Sequence, residues 1–248
     1  MIPLTAPNLP KREVRLAAAQ AGPWTAALEQ YGVWVVSPAP NAALPAETAG
    51  HADMLICHAG GKRLFAEPAQ TALADELASF GFEVRFSSSL GGAYPADVRL
   101  NAAVGNGFAL GNFRCVEPSL VSFLTRSGRR LLQVRQGYAK CSLCFVAENA
   151  FITEDAGVAA VLRREGADVL SISAGDVALS DVHTGFFGGA SGLLAPDLLA
   201  VNGSLVTHRD EEAITAFLKK YSVRALSLSD GPVTDIGGIL PLMEGKEV

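Results

Sequence analysis

The sequence predicts an α/β fold arranged as a closed ring, a five-bladed pseudo-symmetric propeller of strand–strand–helix–strand modules. Three observations predict it. A short helix, a chain reversal and an apolar strand recur five times along 248 residues. Strand pairs with hairpin turns precede four of those helices. The first module has none, which leaves the C-terminal Ile236-Gly237-Gly238-Ile239-Leu240-Pro241-Leu242 to return and close the ring. Repeats at a fixed spacing decide architecture before any single residue does.

The reversals read Gln30-Tyr31-Gly32-Val33-Trp34-Val35, Ser79-Phe80-Gly81-Phe82-Glu83-Val84, Arg126-Ser127-Gly128-Arg129-Arg130-Leu131, Arg164-Glu165-Gly166-Ala167-Asp168-Val169 and Lys220-Tyr221-Ser222-Val223-Arg224-Ala225. Four carry glycine where a helix needs a left-handed C-cap, and the fifth substitutes Tyr221-Ser222. The helices before them are expected over Pro23-Trp24 to Tyr31, Pro68 to Phe80, Pro118 to Ser127, Gly157 to Glu165 and Asp210 to Tyr221. Pro68 and Pro118 suit first-turn positions. Asp210-Glu211-Glu212 and Lys219-Lys220 match the dipole of the last helix, whose Ala213, Ile214, Phe217 and Leu218 form one apolar stripe.

Expected hairpins run Leu143 to Val146 with Phe151 to Thr153, Leu198 to Val201 with Ser204 to Thr207 through Asn202-Gly203, and Ala102 to Val104 with Phe108 to Leu110. A fourth starts at Asp53-Met54-Leu55-Ile56-Cys57 and turns at Gly60-Gly61. One domain over residues 1–248 is expected, without a linker.

Composition narrows the function classes. With 49% hydrophobic and 18% charged residues this is a folded protein. A net charge of -5, with Lys and Arg scattered, supplies no field for nucleic acid. The first fourteen residues have no apolar core like that of a signal peptide, and no stretch approaches a membrane span. Cys57, Cys115, Cys141 and Cys144 are expected as free thiols of a cytoplasmic protein. The expected partner is a small molecule, with no nucleic acid or membrane.

The repeat, with His51-Ala52-Asp53-Met54, Gly137-Tyr138-Ala139-Lys140-Cys141-Ser142, Gly185-Phe186-Phe187-Gly188-Gly189 and Asp230-Gly231-Pro232-Val233-Thr234-Asp235-Ile236-Gly237, resembles the pentein superfamily of guanidine-modifying enzymes. The resemblance covers nearly the whole chain. It implies a central pocket in which a cysteine near the C-terminus attacks a guanidinium carbon, a histidine of the fourth module moves protons and carboxylates grip the cation. Two positions depart from that pattern. Asp235 stands where the resemblance puts the nucleophile, and no cysteine follows Cys144; Tyr138 stands where it puts the histidine.

The remaining polar residues define the candidate site. His51 and Asp53, two apart at an expected strand start, would share one face. Asp53 matches a guanidinium-binding carboxylate of the family, with His51 as proton shuttle; a capped strand start with a hydrogen-bonded histidine is the other account of the pair. Cys141, beside Lys140, is either a displaced nucleophile or a buried thiol. In Cys141-Ser142-Leu143-Cys144 a strand would turn the two thiols to opposite sides, and no second ligand pair completes a metal site, so neither metal nor cofactor is expected. His183 begins a Gly-rich run to Gly192 that brings backbone close either to a ligand or to a packed central strand, the latter preferred. His58 and His208 read as turn residues.

Two functions follow. One is a hydrolase or transferase acting on a C–N bond of a guanidino, amidino or ureido compound, with Cys141 as nucleophile, His51 as acid/base, Asp53 and Asp235 as cation clamp, and Tyr138, Lys140 and His183 lining the substrate site. The other is a catalytically reduced pentein that binds an amino-acid-like or cationic small molecule.

Overall fold

The computed structural model describes residues 1–180 and 183–246. Its strands form five small sheets. In each, an antiparallel pair is followed by a helix, and the strand after the helix lies parallel to the second member of the pair. The second blade joins β4 (Ile56–Gly60), β5 (Arg63–Ala66) and, after α3 (Thr71–Ser79), β6 (Glu83–Phe86). The third joins β7 (Ala103–Val104), β8 (Phe108–Gly111) and, after α4 (Pro118–Arg126), β9 (Arg130–Gln133). The fourth joins β10 (Cys144–Ala147), β11 (Ala150–Thr153) and, after α5 (Ala156–Arg164), β12 (Asp168–Ser171). The fifth joins β13 (Ser191–Ala195), β14 (Leu198–Val201) and, after α6 (Glu211–Lys220), β15 (Arg224–Ser227).

The first blade is completed from the C-terminus, as the repeat predicts. There β16 (Leu240–Glu244) runs antiparallel to both β1 (Ile2–Pro3) and β2 (Val14–Ala18), while β3 (Trp34–Val36), after α1 (Trp24–Gln30), runs parallel to β2. The buried Glu244 carboxylate clasps the N-terminal segment, accepting from the Lys11 and Arg12 amides at 2.6 and 3.0 Å.

The five reversals are one physical device used five times. Gly32, Gly81, Gly128 and Gly166 have φ between 74° and 89°, and Ser222, at φ 59°, takes the same left-handed conformation. In each, the N–H after this residue returns to a carbonyl five residues back, as Phe82 does to Leu77 and Val223 to Leu218. The following strands are the exposed outer edges, studded with charges such as Arg85, Arg130 and Arg224 that discourage pairing with another chain. The first strands of the blades are almost wholly buried around the centre.

Four expectations need correction. The second long helix starts at Thr71, since Glu67 to Gln70 form a separate turn. Asn202-Gly203 makes no hairpin: β14 pairs back to β13, and Leu205–Thr207 is a 3-10 turn. The Asn202 side-chain amide donates to the Thr234 carbonyl, and Gly203 packs on the Pro232 and Val233 backbone, so the neighbouring loop claims this corner. His58 is a buried residue of β4, whereas His208 lies in the turn after Leu205–Thr207, as expected, though it too is buried. On α6 the stripe is Ile214, Phe217 and Leu218, with Ala213 on the solvent side.

A paired substitution tests the reversals. Gly128 has open space where a Cβ would sit, so Gly128→Ala isolates the cost of its positive φ. It is expected to lower unfolding free energy by about 1 kcal/mol, and Ser222→Gly to raise it by roughly half that. Urea denaturation at unchanged m-value measures both.

Candidate active site

Each blade's first strand is preceded by a tight turn at one end of the ring, and these turns carry the site. Short helix α2 (Ala52–Leu55) precedes β4, with His51 as its N-cap. Val98 to Asn101 precedes β7, Tyr138 to Ser142 precedes β10, Phe186 to Ala190 precedes β13, and Asp235 to Gly238 precedes β16.

Hydrogen bonds link these turns in a closed circle. Asn101 Nδ2 donates to the Asp53 carbonyl at 3.1 Å, and the Lys140 amide donates to Asn101 Oδ1 at 2.7 Å. Lys140 Nζ donates to the Gly188 carbonyl at 3.3 Å. The Phe186 amide donates to Asp235 Oδ2 at 2.9 Å, and the Asp53 amide donates to the Gly237 carbonyl at 3.0 Å, which returns to the start.

Two expectations about these turns are overturned. His51 and Asp53 lie on a helical turn, not a strand, and strand β4 begins only at Ile56. Cys141 lies in a turn, so the two thiols of Cys141-x-x-Cys144 are not alternating strand residues; Cys144 opens β10. Among the described residues no group of three or more His, Cys, Asp or Glu is arranged to hold a metal.

Beside the circle is a cavity of about 230 Å³, lined by His51, Met54, Tyr138, Cys141, Phe186 and Asp235, with the more exposed Glu47 and His183 also in its wall. His51 Nδ1 stands 3.7 Å from Asp235 Oδ1. The Asp235 carboxylate also accepts from the Gly237 amide at 2.9 Å. Burial pushes its pKa up, and the nearby Asp53 adds to this, against the opposing pull of His51 and the two amides.

Asp53 is 1% exposed, and neither of its carboxylate oxygens has a hydrogen-bond partner. On one side it faces the Cys141 thiol, whose proton it holds on both by its charge and by direct contact. On its other side is a cavity of about 20 Å³, shared with Lys140, Cys57 and His58. Lys140 therefore belongs to the ring's interior, not to the larger cavity.

The Cys141 thiol accepts from Asn101 Nδ2 at 3.1 Å. Its pKa is raised well above the ordinary value by burial and then by the Asp53 and Asp235 carboxylates, so at rest it is a protonated thiol. Tyr138 donates its hydroxyl to Asp97 at 2.6 Å and holds its proton tightly through burial and that bond. Its ring lies near that of Phe186, with centroids 6.4 Å apart and planes at 29°. His183 pairs with Glu47 at 2.8 Å.

The Gly-rich run is a turn packed against a carboxylate, where close packing of a central strand was expected; strand β13 starts only at Ser191. A side chain at Gly185 or Gly189 would collide with Asp235, so both glycines are needed for the carboxylate to reach the cavity wall.

The family described as "Family of unknown function (DUF6873)" matches residues 20–240. The chain belongs to this family. No curated protein matches the sequence. Among solved structures, SxtG, an amidinotransferase from Microseira wollei in the saxitoxin biosynthetic pathway, superposes with a TM-score of 0.57 at 11% identity, over 98% of each chain. Agmatine deiminase of C. jejuni gives 0.54 at 12% identity over 94% of each. DDAH from Pseudomonas aeruginosa gives 0.52 at 8% identity, over 94% of this chain and 100% of that one. The fold is the pentein fold, and at these identities the likeness concerns the fold. Among the described residues no helix is long and apolar enough to cross a membrane.

Two site residues escape a reading by motif. Asn101 is wholly buried, holds three turns together and touches the thiol. Its signal was positional, a polar residue just before an apolar strand, where Asp53 and Lys140 stand in the neighbouring modules. Glu154 follows β11 and accepts from the Phe187 amide at 2.6 Å, while its second oxygen is buried without a partner.

Glu154 gives a signed pH prediction. Burial, with the Asp235 charge adding, raises its pKa from 4.5 to about 7. Between those values the folded chain keeps a proton that the unfolded chain releases. The contribution is complete below pH 4.5 and is lost as pH rises through 7, a difference of about 3 kcal/mol. Glu154→Gln, which retains the acceptor for Phe187, is expected to abolish that decline and exceed the parent's stability at pH 8. Urea unfolding at pH 5 and 8 measures it.

Proposed function

We propose that this chain acts on a C–N bond of a guanidino, amidino or ureido small molecule, with Cys141 as nucleophile, His51 as acid/base and Asp235 and Asp53 as the carboxylates that receive the cation. The observation carrying this reading is that a thiol, an imidazole and a buried carboxylate line one cavity, with a second buried carboxylate, Asp53, set against the thiol from outside that cavity. A buried charge without a partner is costly, and a planar cation with several N–H donors answers that cost.

The same cation prepares the nucleophile. Of the two carboxylates that hold the Cys141 proton on, Asp235 lines the cavity and is neutralised when the cation binds, and the Asn101 amide is already placed to stabilise the thiolate. Cys141 gives its proton to His51, and the sulfur adds to the central carbon of the amidine. The C–N bond then breaks as His51 returns the proton to the leaving amine. The carbon is left bound to sulfur, and water or an acceptor amine releases it, regenerating the thiol. Tyr138 and His183 bound the substrate space; Lys140 acts through the backbone it holds.

One observation favours the binding reading instead. A thiol raised by burial and by two carboxylates is inert until something changes its surroundings. If the bound cation lies with its carbon out of reach of sulfur, the site holds its ligand without turnover.

Mass-spectrometric turnover of a pooled panel of guanidino, amidino and ureido compounds separates the two. The parent is expected to form product, Cys141→Ala to lose it, and Asp235→Asn to lower kcat/KM about 100-fold, the size of a lost charge-assisted pair. Product surviving in Cys141→Ala removes Cys141 from the chemistry. No product, together with a ligand-dependent rise in Tm, makes the chain a binding protein.

A further inference from the structure

The mouth of the cavity carries a charge pattern that selects among cations. Its described lining residues include two acidic groups, Asp235 at the floor and the more exposed Glu47, two histidines, and neither lysine nor arginine. The nearest cation in the ring, Lys140, is committed to the Gly188 carbonyl and the inner cavity. The Tyr138 hydroxyl is committed to Asp97. At about 230 Å³ the space is below the usual range for drug-sized ligands and suits a small metabolite.

Met54, Phe186 and Glu47 line the same cavity as Asp235, so the far end of a substrate held by its amidine at Asp235 lies in a space that Glu47 bounds. We propose that this far end is an ammonium received by Glu47, so that the substrate is an ω-aminoalkyl guanidine or amidine and not an α-amino acid. The inference rests on the reading of the floor as an amidine site.

The asymmetry between the two tails decides it. Glu47 is 27% exposed and pairs with His183, whose side chain is 62% exposed. An ammonium takes over the Glu47 carboxylate and returns His183 to solvent at little cost. Among the described lining residues at the Glu47 end, a carboxylate tail has His183 as its basic partner, and taking it leaves Glu47 unpaired beside a second negative charge. Such like-charge juxtaposition is a specificity device in its own right.

The test is binding to the full chain by calorimetry, with three probes of one length class: 4-aminobutylguanidine, butylguanidine and arginine. 4-Aminobutylguanidine is expected to bind at least roughly tenfold tighter than arginine, the scale of one charge-assisted hydrogen bond. Glu47→Gln is expected to remove about tenfold from 4-aminobutylguanidine and to leave butylguanidine within about twofold, while Glu47→Arg shifts preference toward arginine. Arginine binding as tightly as the amine, or Glu47→Gln weakening all three probes equally, overturns the inference and leaves the amidine site standing. Binding of none of the three overturns both.

Discussion

The structure depends on one closed circuit of hydrogen bonds. Five turns, one per blade, are joined through Asn101, Lys140, Gly188, Asp235 and the Gly237 carbonyl back to Asp53. Because each turn precedes an almost wholly buried first strand, the circuit fixes how the blades meet as well as where the polar side chains point. A single hydrogen bond of this kind contributes only about 1 kcal/mol net. Within a ring, breaking one leaves buried donors and acceptors on two blades without partners, and that penalty makes the arrangement specific.

The electrostatics follow from that placement. The circuit brings Asp53 and Asp235 into an interior where their charges are poorly solvated, Glu154 accepts from the neighbouring Phe187 amide, and the circuit's one ammonium, Lys140, is directed at a carbonyl. Burial raises Asp235 and Glu154 and keeps the Cys141 thiol protonated. In the proposed account a site of this kind is idle until a cation enters. Then the ligand supplies the solvation the carboxylates lack and the field the thiol needs. Asp235, in the position where a pentein nucleophile is expected, lines the cavity, and in the proposed account Cys141, from a different turn, supplies the sulfur.

Much of the fold was legible because its signals are local. A left-handed residue after each helix is required by backbone sterics, and Ser222 could be recognised only because four glycines occupy the equivalent position. The missing first hairpin pointed to closure by the C-terminus. What misled was local chemistry overruled by packing: Asn202-Gly203 has hairpin composition, yet its hydrogen bonds go to the loop at Pro232 to Thr234. Of the site, Asp53, His51, Cys141 and Asp235 stood out as polar residues in apolar surroundings. Asn101 and Glu154 did not, since their importance lies in partners far away in sequence, Lys140 and Phe187 among them. Asp53 sits on a helical turn and its amide donates to the Gly237 carbonyl, a contact no local pattern encodes.

The central claim is that the carboxylates draw a planar cation onto the Cys141 thiol. The most direct measurement is the rate of covalent labelling by 2-chloroacetamidine, which is cationic, against its neutral isostere 2-chloroacetamide, with the modified residue read by peptide mass spectrometry. The account predicts a single adduct, on Cys141, formed at least roughly tenfold faster with the cation, since a site selective by one charge-assisted contact discriminates on that scale. Equal rates for the two reagents, or an adduct confined to the partly exposed Cys115, would contradict it.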